Sequence, residues 1–412
     1  MEIQKLLHPD VQQYILQHEV EDKASLLLKH KSILGIPTSM VADQIAGKGK
    51  AKLKLPLWNT TNNIVYPPSV NLEQCSSEVT AAFKVKLLTK LTDVKFNRAV
   101  DLTGGFGVDS FFLSSIFKEV DYVEPDVNLF EIAKHNLTIL QKGTSKEQET
   151  KIQFHNSTSE NFLASIKDKY DLIFIDPSRR TKGNQKIFRL ADCVPNVTQL
   201  LAIIFDKTEV LLLKASPMLD LQQGAKELKH VAKIFVVAVD NECKELLFLC
   251  RKGYEGEPTI EVVDLKSNSN RAAVHFEFFQ KEEKDAVVNY SNPLPFLYEP
   301  SAALLKAGAF KLIAQRFDLK KLHQNTHLYT SEYLVADFPG KVFEIDALIK
   351  PDTKVVRQYF PEGKANVATR NYPLSPEELK KKTGVKDGGE KFLIGFSGVK
   401  EKFLAVCKRL AN

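Results

Sequence analysis

The chain has 412 residues, 43% of them hydrophobic and 26% charged. That length exceeds what one hydrophobic core usually organises, so several structural units are expected, and the composition excludes disorder on a large scale. The first residues lack a basic-then-apolar leader, and no apolar run approaches the ~20 residues of a membrane-spanning helix, so the expectation is a cytoplasmic protein with no membrane contact.

Cys75, Cys193, Cys243, Cys250 and Cys407 are scattered, odd in number and without a Cys-x-x-Cys pair. Reduced thiols are expected, with neither a disulfide framework nor a zinc site, and no metal is implied. Net charge is +6, and its distribution is uneven: positions 341–412 hold 15 Lys and Arg against 9 Asp and Glu, whereas the rest of the chain carries 42 of each. A basic module beside a neutral one suits a polyanion, although a solvated lysine-rich surface accounts for the same count.

In chain order, the first ~55 residues carry apolar positions at helical spacing (Val11, Ile15, Leu26, Leu27, Ile33), which predicts a small helical lobe. Positions 55–63 and then Tyr66-Pro67-Pro68, rich in Pro and Asn, predict a linker or surface loop. Short apolar runs follow at 98–102, 120–124, 151–155, 171–176, 209–214, 233–239 and 245–250, with helical periodicity between most of them, as at 129–140 and 219–231. This is an α/β pattern: a largely parallel, Rossmann-like sheet with helices on both faces. Only five residues separate the last two runs, too few for a helical crossover, so the final strand is reversed. Seven strands with one reversed hairpin strand is the sheet of a class I methyltransferase, whereas plain dinucleotide-binding folds are mostly six parallel strands.

Beyond about position 280 the alternation stops. Positions 293–334 read as helix-rich and 341–412 as an α+β unit, with a hairpin turn at Asp387-Gly388-Gly389. The expected division is a helical lobe and linker at 1–80, a catalytic domain at 81–280, and two smaller domains at 281–340 and 341–412.

The candidate site begins at Asp101-Leu102-Thr103-Gly104-Gly105-Phe106-Gly107-Val108-Asp109-Ser110, after a strand and opening a helix. Gly104, Gly105 and Gly107 permit a sharp turn and let a ligand lie on bare backbone, and the helix start offers unpaired amides. Asp101 in front of the glycines would repel a pyrophosphate but suits the ammonium of a methionine moiety. Ser110 stands where a dinucleotide fingerprint has its third glycine.

Glu124 ends the next strand, where an acid accepts hydrogen bonds from ribose hydroxyls. Asn156 follows the third strand and is placed to meet an adenine edge; as an isolated residue it is as readily a turn former. The fourth strand ends Asp176-Pro177-Ser178-Arg179-Arg180. Asp176 can hydrogen-bond a target amine or take its proton, Pro177 and Ser178 shape the turn, and Arg179 and Arg180 can clamp a substrate phosphate or carboxylate.

These segments resemble the family of bacterial class I methyltransferases with a C-terminal THUMP-like domain. The likeness is carried by Gln74-Cys75-Ser76-Ser77-Glu78-Val79-Thr80-Ala81, the Asp101 loop and Asp176-Pro177-Ser178-Arg179-Arg180. Further on it is carried by Tyr298-Glu299-Pro300-Ser301-Ala302-Ala303, His327-Leu328-Tyr329-Thr330-Ser331 and Ala365-Asn366-Val367-Ala368-Thr369-Arg370-Asn371-Tyr372-Pro373.

The resemblance implies S-adenosyl-L-methionine as cofactor, held by Asp101, Thr103, Gly104, Gly105, Gly107, Asp109, Glu124, Asn156 and Asp176. It implies a ferredoxin-like unit ahead of a THUMP-like one, and RNA, tRNA or rRNA, as substrate and partner. Residues 74–80, Ser77 among them, would close over the bound molecules. Uracil-5-methyltransferases share a similar Asp-Pro motif but need a nucleophilic cysteine after the fifth strand. Here that strand ends Leu213-Lys214-Ala215-Ser216-Pro217, without the cysteine, which argues against carbon methylation through a covalent adduct; direct displacement onto a nitrogen or oxygen is the expectation. A small-molecule or protein methyltransferase, and a non-catalytic RNA-binding protein on the same scaffold, are the competing expectations.

Overall fold

The computed structural model describes residues 3–92, 94–142, 151–179, 189–267 and 269–410. The chain divides into two compact units, 1–233 with 246–256 and 234–245 with 257–412.

The first unit opens with helices α1 (Pro9–Gln17) and α2 (Thr38–Lys54). The expected linker after them is instead structured. Pro56 starts a short helix, α3 (Pro56–Thr60), where its fixed φ and missing N–H cost nothing. On it Trp58 is fully buried and meets the Phe111 ring edge-on at 5.2 Å. Tyr66 is buried too, its backbone gripped by the Gln44 amide, which donates to Tyr66 O at 2.8 Å and accepts from Tyr66 N at 2.7 Å. Two aromatics that fill a core outweigh the loop-forming bias of the Asn residues around them.

Next come α4 (Glu78–Leu88), β1 (Arg98–Asp101), α5 (Val108–Leu113), β2 (Glu119–Val123), α6 (Val127–Lys142), β3 (Lys151–His155), α7 (Ser159–Ser165), β4 (Leu172–Ile175) and β5 (Val210–Ala215). The strands lie in the order β3, β2, β1, β4, β5, all parallel. β4 and β5 are buried along their whole length, as continuous apolar runs covered on both faces must be. β6 (Val231–Val239) and β7 (Glu242–Arg251) follow, and β7 pairs antiparallel with β5, as the short connection requires. The turn between β6 and β7 is Asp240-Asn241, with φ of 50° and 65°, the tight hairpin geometry these two residues tolerate best.

In the second unit the strand count exceeds expectation: β8 (Thr259–Lys266) and β9 (Ser269–Phe279) form an antiparallel hairpin. On it Glu261, His275 and Glu277 bring their ligand atoms within 4.8 Å of one another, and His275 Nε2 stands 3.0 Å from Glu261 Oε1.

The stretch expected to be helix-rich holds more strand than helix. It holds β10 (Phe296–Pro300), β11 (Lys320–His323) and β12 (Thr326–Ser331), with helices Ala302–Ala307 and Leu312–Arg316 between them. β13 (Gly340–Leu348), β14 (Asn366–Arg370), helix α8 (Pro376–Thr383), β15 (Lys391–Ser397) and β16 (Lys402–Leu410) follow. All seven strands from β10 on make one sheet, in the order β11, β12, β10, β13, β16, β15, β14, with only the β14–β15 pair parallel. Leu297, Phe343, Phe396 and Cys407 form part of one core cluster there.

The hairpin predicted at Asp387-Gly388-Gly389 lies elsewhere: Ser397 pairs with Lys402, and Gly398 N donates to Glu401 O at 2.8 Å. Gly388 and Gly389, with φ of 127° and 78°, lead the chain from α8 into β15. Among the described residues no helix is long and apolar enough to cross a membrane.

Candidate active site

The carboxyl ends of the parallel strands carry the site, in a cleft of about 320 Å³ within the first unit. Three strand ends are tied together beneath it. Leu102 N donates to Phe174 O (3.0 Å), Gly104 N to Val123 O (2.8 Å) and Asp176 N to Thr103 Oγ1 (2.7 Å). A side chain at Gly104 would strike the Tyr122 ring, with Cβ 2.2 Å from Cε2, so a residue without Cβ is required for the loop to lie this close to β2. The Tyr122 hydroxyl donates to Gly105 O at 2.6 Å and pins the loop from below. Gly107, with φ of 84°, takes the left-handed conformation that caps α5. That helix has only six residues, so its dipole is a smaller contribution than the sequence suggested.

Thr103, Gly104, Gly105, Gly107 and Asp109 all line the cleft, as do Glu124, Asp176 and Ser178. Glu124 is fixed by two backbone donors, Gly105 N and Asp126 N, each at 2.9 Å. Burial raises its carboxyl above the usual range against the pull of those two amides. Each carboxylate oxygen keeps a lone pair for a further donor, and Pro125 and Leu129 beside it supply an apolar wall.

Asp101 is not among the lining residues. It is 1% exposed, behind the loop, where it accepts from Ser110 Oγ at 2.6 Å and Thr103 N at 3.0 Å. Burial pushes its carboxyl up to about 7, partly offset by the Ser110 hydrogen bond. Asn156 also lies outside the lining: its side-chain amide donates to Glu124 O (2.8 Å) and Pro125 O (3.2 Å), shaping the turn that presents Glu124. In its place Thr158, Ser159 and Glu160, at the start of α7, face the cleft, and the Ser159 hydroxyl reaches back to Leu102 O at 2.7 Å.

Pro177 is buried outside the lining, and Ser77 caps α4 by accepting from Thr80 N at 3.2 Å. Neighbouring Asn71, Gln74, Cys75 and Ser76 do line the cleft. Arg180 lies outside the described residues. Arg179 is described only as backbone, in a two-residue strand with Ser178 that pairs with Cys193–Val194.

Four charged side chains alternate in sign beneath the cleft, and the sequence reading missed two of them. Lys84, on α4 and almost wholly buried, reaches Asp109 Oδ1 at 3.0 Å and the Ser76 hydroxyl at 3.1 Å. Ser76 in turn donates to Asp109 Oδ2 at 2.6 Å. Lys214, on β5, donates to the Asp176 carboxylate. Burial alone would raise the Asp109 carboxyl, but the charges of Lys84 and Lys214 and the Ser76 and Lys84 hydrogen bonds hold it below the usual range. The signal for Lys214 was available, since it is the one charge in the run from Val210 to Ala215, all of it buried.

Cys75 is the cysteine that lines the cleft, whereas Cys193 is buried and donates to Arg189 O at 3.6 Å. Burial pushes the Cys75 thiol up to about 11, so at neutral pH it is protonated and a poor nucleophile.

The strand order with a reversed final strand, the glycine loop, and an acid at the end of β2 together define the class I methyltransferase fold. A crystal structure from Porphyromonas gingivalis W83, described as a candidate methyltransferase, is 31% identical and matches over 99% of both chains with a TM-score of 0.83. Family profiles match residues 296–339 as a ferredoxin-like domain and 340–409 as a THUMP domain-like region. The chain belongs to the family of that P. gingivalis protein, bacterial class I methyltransferases with C-terminal ferredoxin-like and THUMP-like domains.

Weaker likenesses extend to a candidate RNA methyltransferase from Pyrococcus horikoshii, 19% identical over 40% of this chain and 72% of that one, with a TM-score of 0.29. An rRNA methylase from Streptococcus thermophilus matches at 15% identity over 41% of this chain and 94% of that one, also at 0.29. Neither is close enough to bear on function. Comparison with curated proteins gives no match.

Proposed function

We propose that the protein transfers the methyl group of S-adenosylmethionine to a nitrogen or oxygen of an RNA nucleotide, by direct displacement and without a covalent cysteine adduct. The observation that carries this reading is the joining, in one cleft, of the glycine loop, the oriented Glu124 carboxylate and the Lys214-bound Asp176 carboxylate.

The residues present fit the cofactor. Glu124 would accept the ribose hydroxyls, Pro125 and Leu129 would flank the adenine, and the backbone of the 103–107 loop would support the methionine part. S-adenosylmethionine supplies an electrophilic methyl on sulfur. Asp176 accepts from Lys214 and keeps lone pairs for an N–H or O–H of the acceptor, while Thr103 fixes its backbone. The chain's contribution is alignment of that acceptor and exclusion of water. Gln74, Cys75 and Ser76 would cover the site from the N-terminal side, and Arg179 and Arg180 would meet substrate phosphate. Support for RNA comes from the THUMP-like region and from the excess positive charge after position 340. A cytoplasmic location accords with this reading.

The test is methyl transfer from labelled S-adenosylmethionine to RNA of a strain lacking the protein, with the product nucleoside identified by mass spectrometry. Asp176→Ala should abolish incorporation while calorimetry shows S-adenosylhomocysteine still binding. Turnover by that variant, or label only in small molecules or protein, would overturn the assignment; failure of the unaltered chain to bind S-adenosylhomocysteine would reduce the fold to a scaffold.

A further inference from the structure

Two walls of the cofactor cleft come from separate parts of the chain. One is the glycine loop, with Asp109 two residues beyond Gly107; the other is Asn71, Gln74, Cys75 and Ser76, within or just after a short helix, Ser69–Gln74. The second wall is anchored on its far side. Leu72 is fully buried, and Lys54, the last residue of α2, donates to the carbonyls of Leu72 and Glu73 at 2.9 and 2.7 Å. Those carbonyls belong to the last turn of the helix, which no amide of the helix itself can satisfy.

Towards the glycine loop the wall is held through Ser76. Its hydroxyl donates to Asp109 Oδ2 at 2.6 Å and accepts from Lys84 Nζ at 3.1 Å, while Lys84 Nζ lies 3.0 Å from Asp109 Oδ1. Three elements thus converge on one buried triangle: α4 brings Lys84, α5 brings Asp109 and the wall brings Ser76. A hydroxyl that donates to a carboxylate and accepts from an ammonium makes two charge-assisted bonds, each about twice as strong as a neutral one.

Lys84 is 2% exposed and outside the cleft lining, whereas Ser76 and Asp109 both line it, on opposite walls. An ammonium this deep in the protein is costly unless it is paired, and the partners it has here belong to the two walls. Any effect of Lys84 on a bound molecule therefore passes through them.

We infer that Lys84 is a positioning residue: through Ser76 and Asp109 it clasps the 71–76 wall against the glycine loop and so sets how long the bound cofactor stays. The methyl-transfer reading, on which this rests, enters in naming that cofactor as S-adenosylmethionine.

The sign of one substitution separates a clasp from a charge. S-adenosylmethionine carries a net positive charge, so removing a nearby lysine that acted by charge alone would tighten its binding. A clasp requires the reverse. In the full-length protein, Lys84→Met should raise the Kd and the dissociation rate of S-adenosylmethionine about tenfold, the size of effect expected from losing charge-assisted hydrogen bonds. Ser76→Ala keeps the Lys84–Asp109 pair and should weaken the cofactor by a similar factor. The double variant should lose no more than the worse single one, because both cut the same tie.

Amide hydrogen exchange of the unliganded chain is the second readout. In each variant residues 71–76 should exchange at least tenfold faster while β1 to β4 keep their protection. Acceleration spread through the whole first unit would mean that Lys84 only supports the fold, and would overturn the clasp. So would tighter or unchanged S-adenosylmethionine binding in either folded variant, or fully additive losses in the double one. Should Lys84→Met fail to fold, Ser76→Ala decides by the same two measurements. If the unaltered chain binds neither S-adenosylmethionine nor S-adenosylhomocysteine, the methyltransferase reading falls, and hydrogen exchange alone decides the clasp: acceleration confined to 71–76 upholds it and unchanged exchange sinks it.

Discussion

A lysine inside a strand of leucines is expensive to place, and Lys214 is tolerated because Asp176 receives its ammonium and the Asp109 carboxylate lies within its field. Removing that cation should change what Asp176 can do without reshaping the cleft. Lys214→Met should therefore lower single-turnover methyl transfer by about 10²–10³-fold, within the range of a positioned proton-handling group, with S-adenosylhomocysteine affinity changed less than threefold. Equal losses in both would mean a purely structural role.

Asp101 makes a different prediction. Its folded pKa, about 7, lies above the ~3.9 of an unfolded chain, so its contribution to stability is complete below pH ~4 and is lost as pH rises through 7. Asp101→Asn should remove that dependence, about 4 kcal/mol in all, and raise the melting temperature more at pH 8 than at pH 5. An equal shift at both values would show that burial does not control this group. Asp101 was legible in the sequence as an acid before glycines, but its sequestration behind the loop was not. That depends on Ser110, nine residues on, turning its hydroxyl inward.

Elements were legible where one physical signal dominated. Strands β1 to β5 read correctly because their apolar runs end at acids or turn formers, and the reversal of β7 followed from the length of one connection. Reading failed where tertiary packing overrode local bias. The Asn-rich stretch around Trp58 is helix because the indole is buried, and the two glycines after Asp387 only lead the chain into β15, because strand pairing at the hairpin is settled by Ser397 and Lys402. The second lysine of the site, Lys84, lies in a helix whose periodicity gave no hint that one lysine would point inward.

The glycine loop shows how tightly elements constrain each other, since β2 presents Tyr122 where any Cβ at 104 would stand. Gly104→Ala should cost about 1–3 kcal/mol by overpacking and weaken S-adenosylhomocysteine binding, measured by thermal unfolding and calorimetry. Gly104→Ala combined with Tyr122→Leu should recover part of both. Failure to recover would place the strain in the loop backbone.

For the whole molecule, the C-terminal region suggests an obvious experiment that the structure advises against. Cutting the chain after position 340, to ask whether the basic region binds RNA, would remove β13, which pairs along β10 from Pro300 to Phe296, and β16 beyond it. The seven-stranded sheet would lose four strands and expose Leu297 and its neighbours, so a failure to bind RNA would report unfolding.

Charge can be changed instead on exposed side chains of this region. Helix α8 is held by its Ser375–Glu378 capping box and by buried Leu379, while Lys381 and Lys382 are exposed. Reversing both to Glu should leave the melting temperature within a few degrees. If this face meets the RNA backbone, the slope of log affinity against log salt should flatten by about 0.7–0.9 for each phosphate that is no longer neutralised. S-adenosylhomocysteine binding should be unaffected, separating a substrate-binding defect from a catalytic one. An unchanged salt slope with full activity would assign the lysines to solvation and return the search for the RNA surface to the other exposed cations of the region, Lys350, Lys354 and Arg357 first among them.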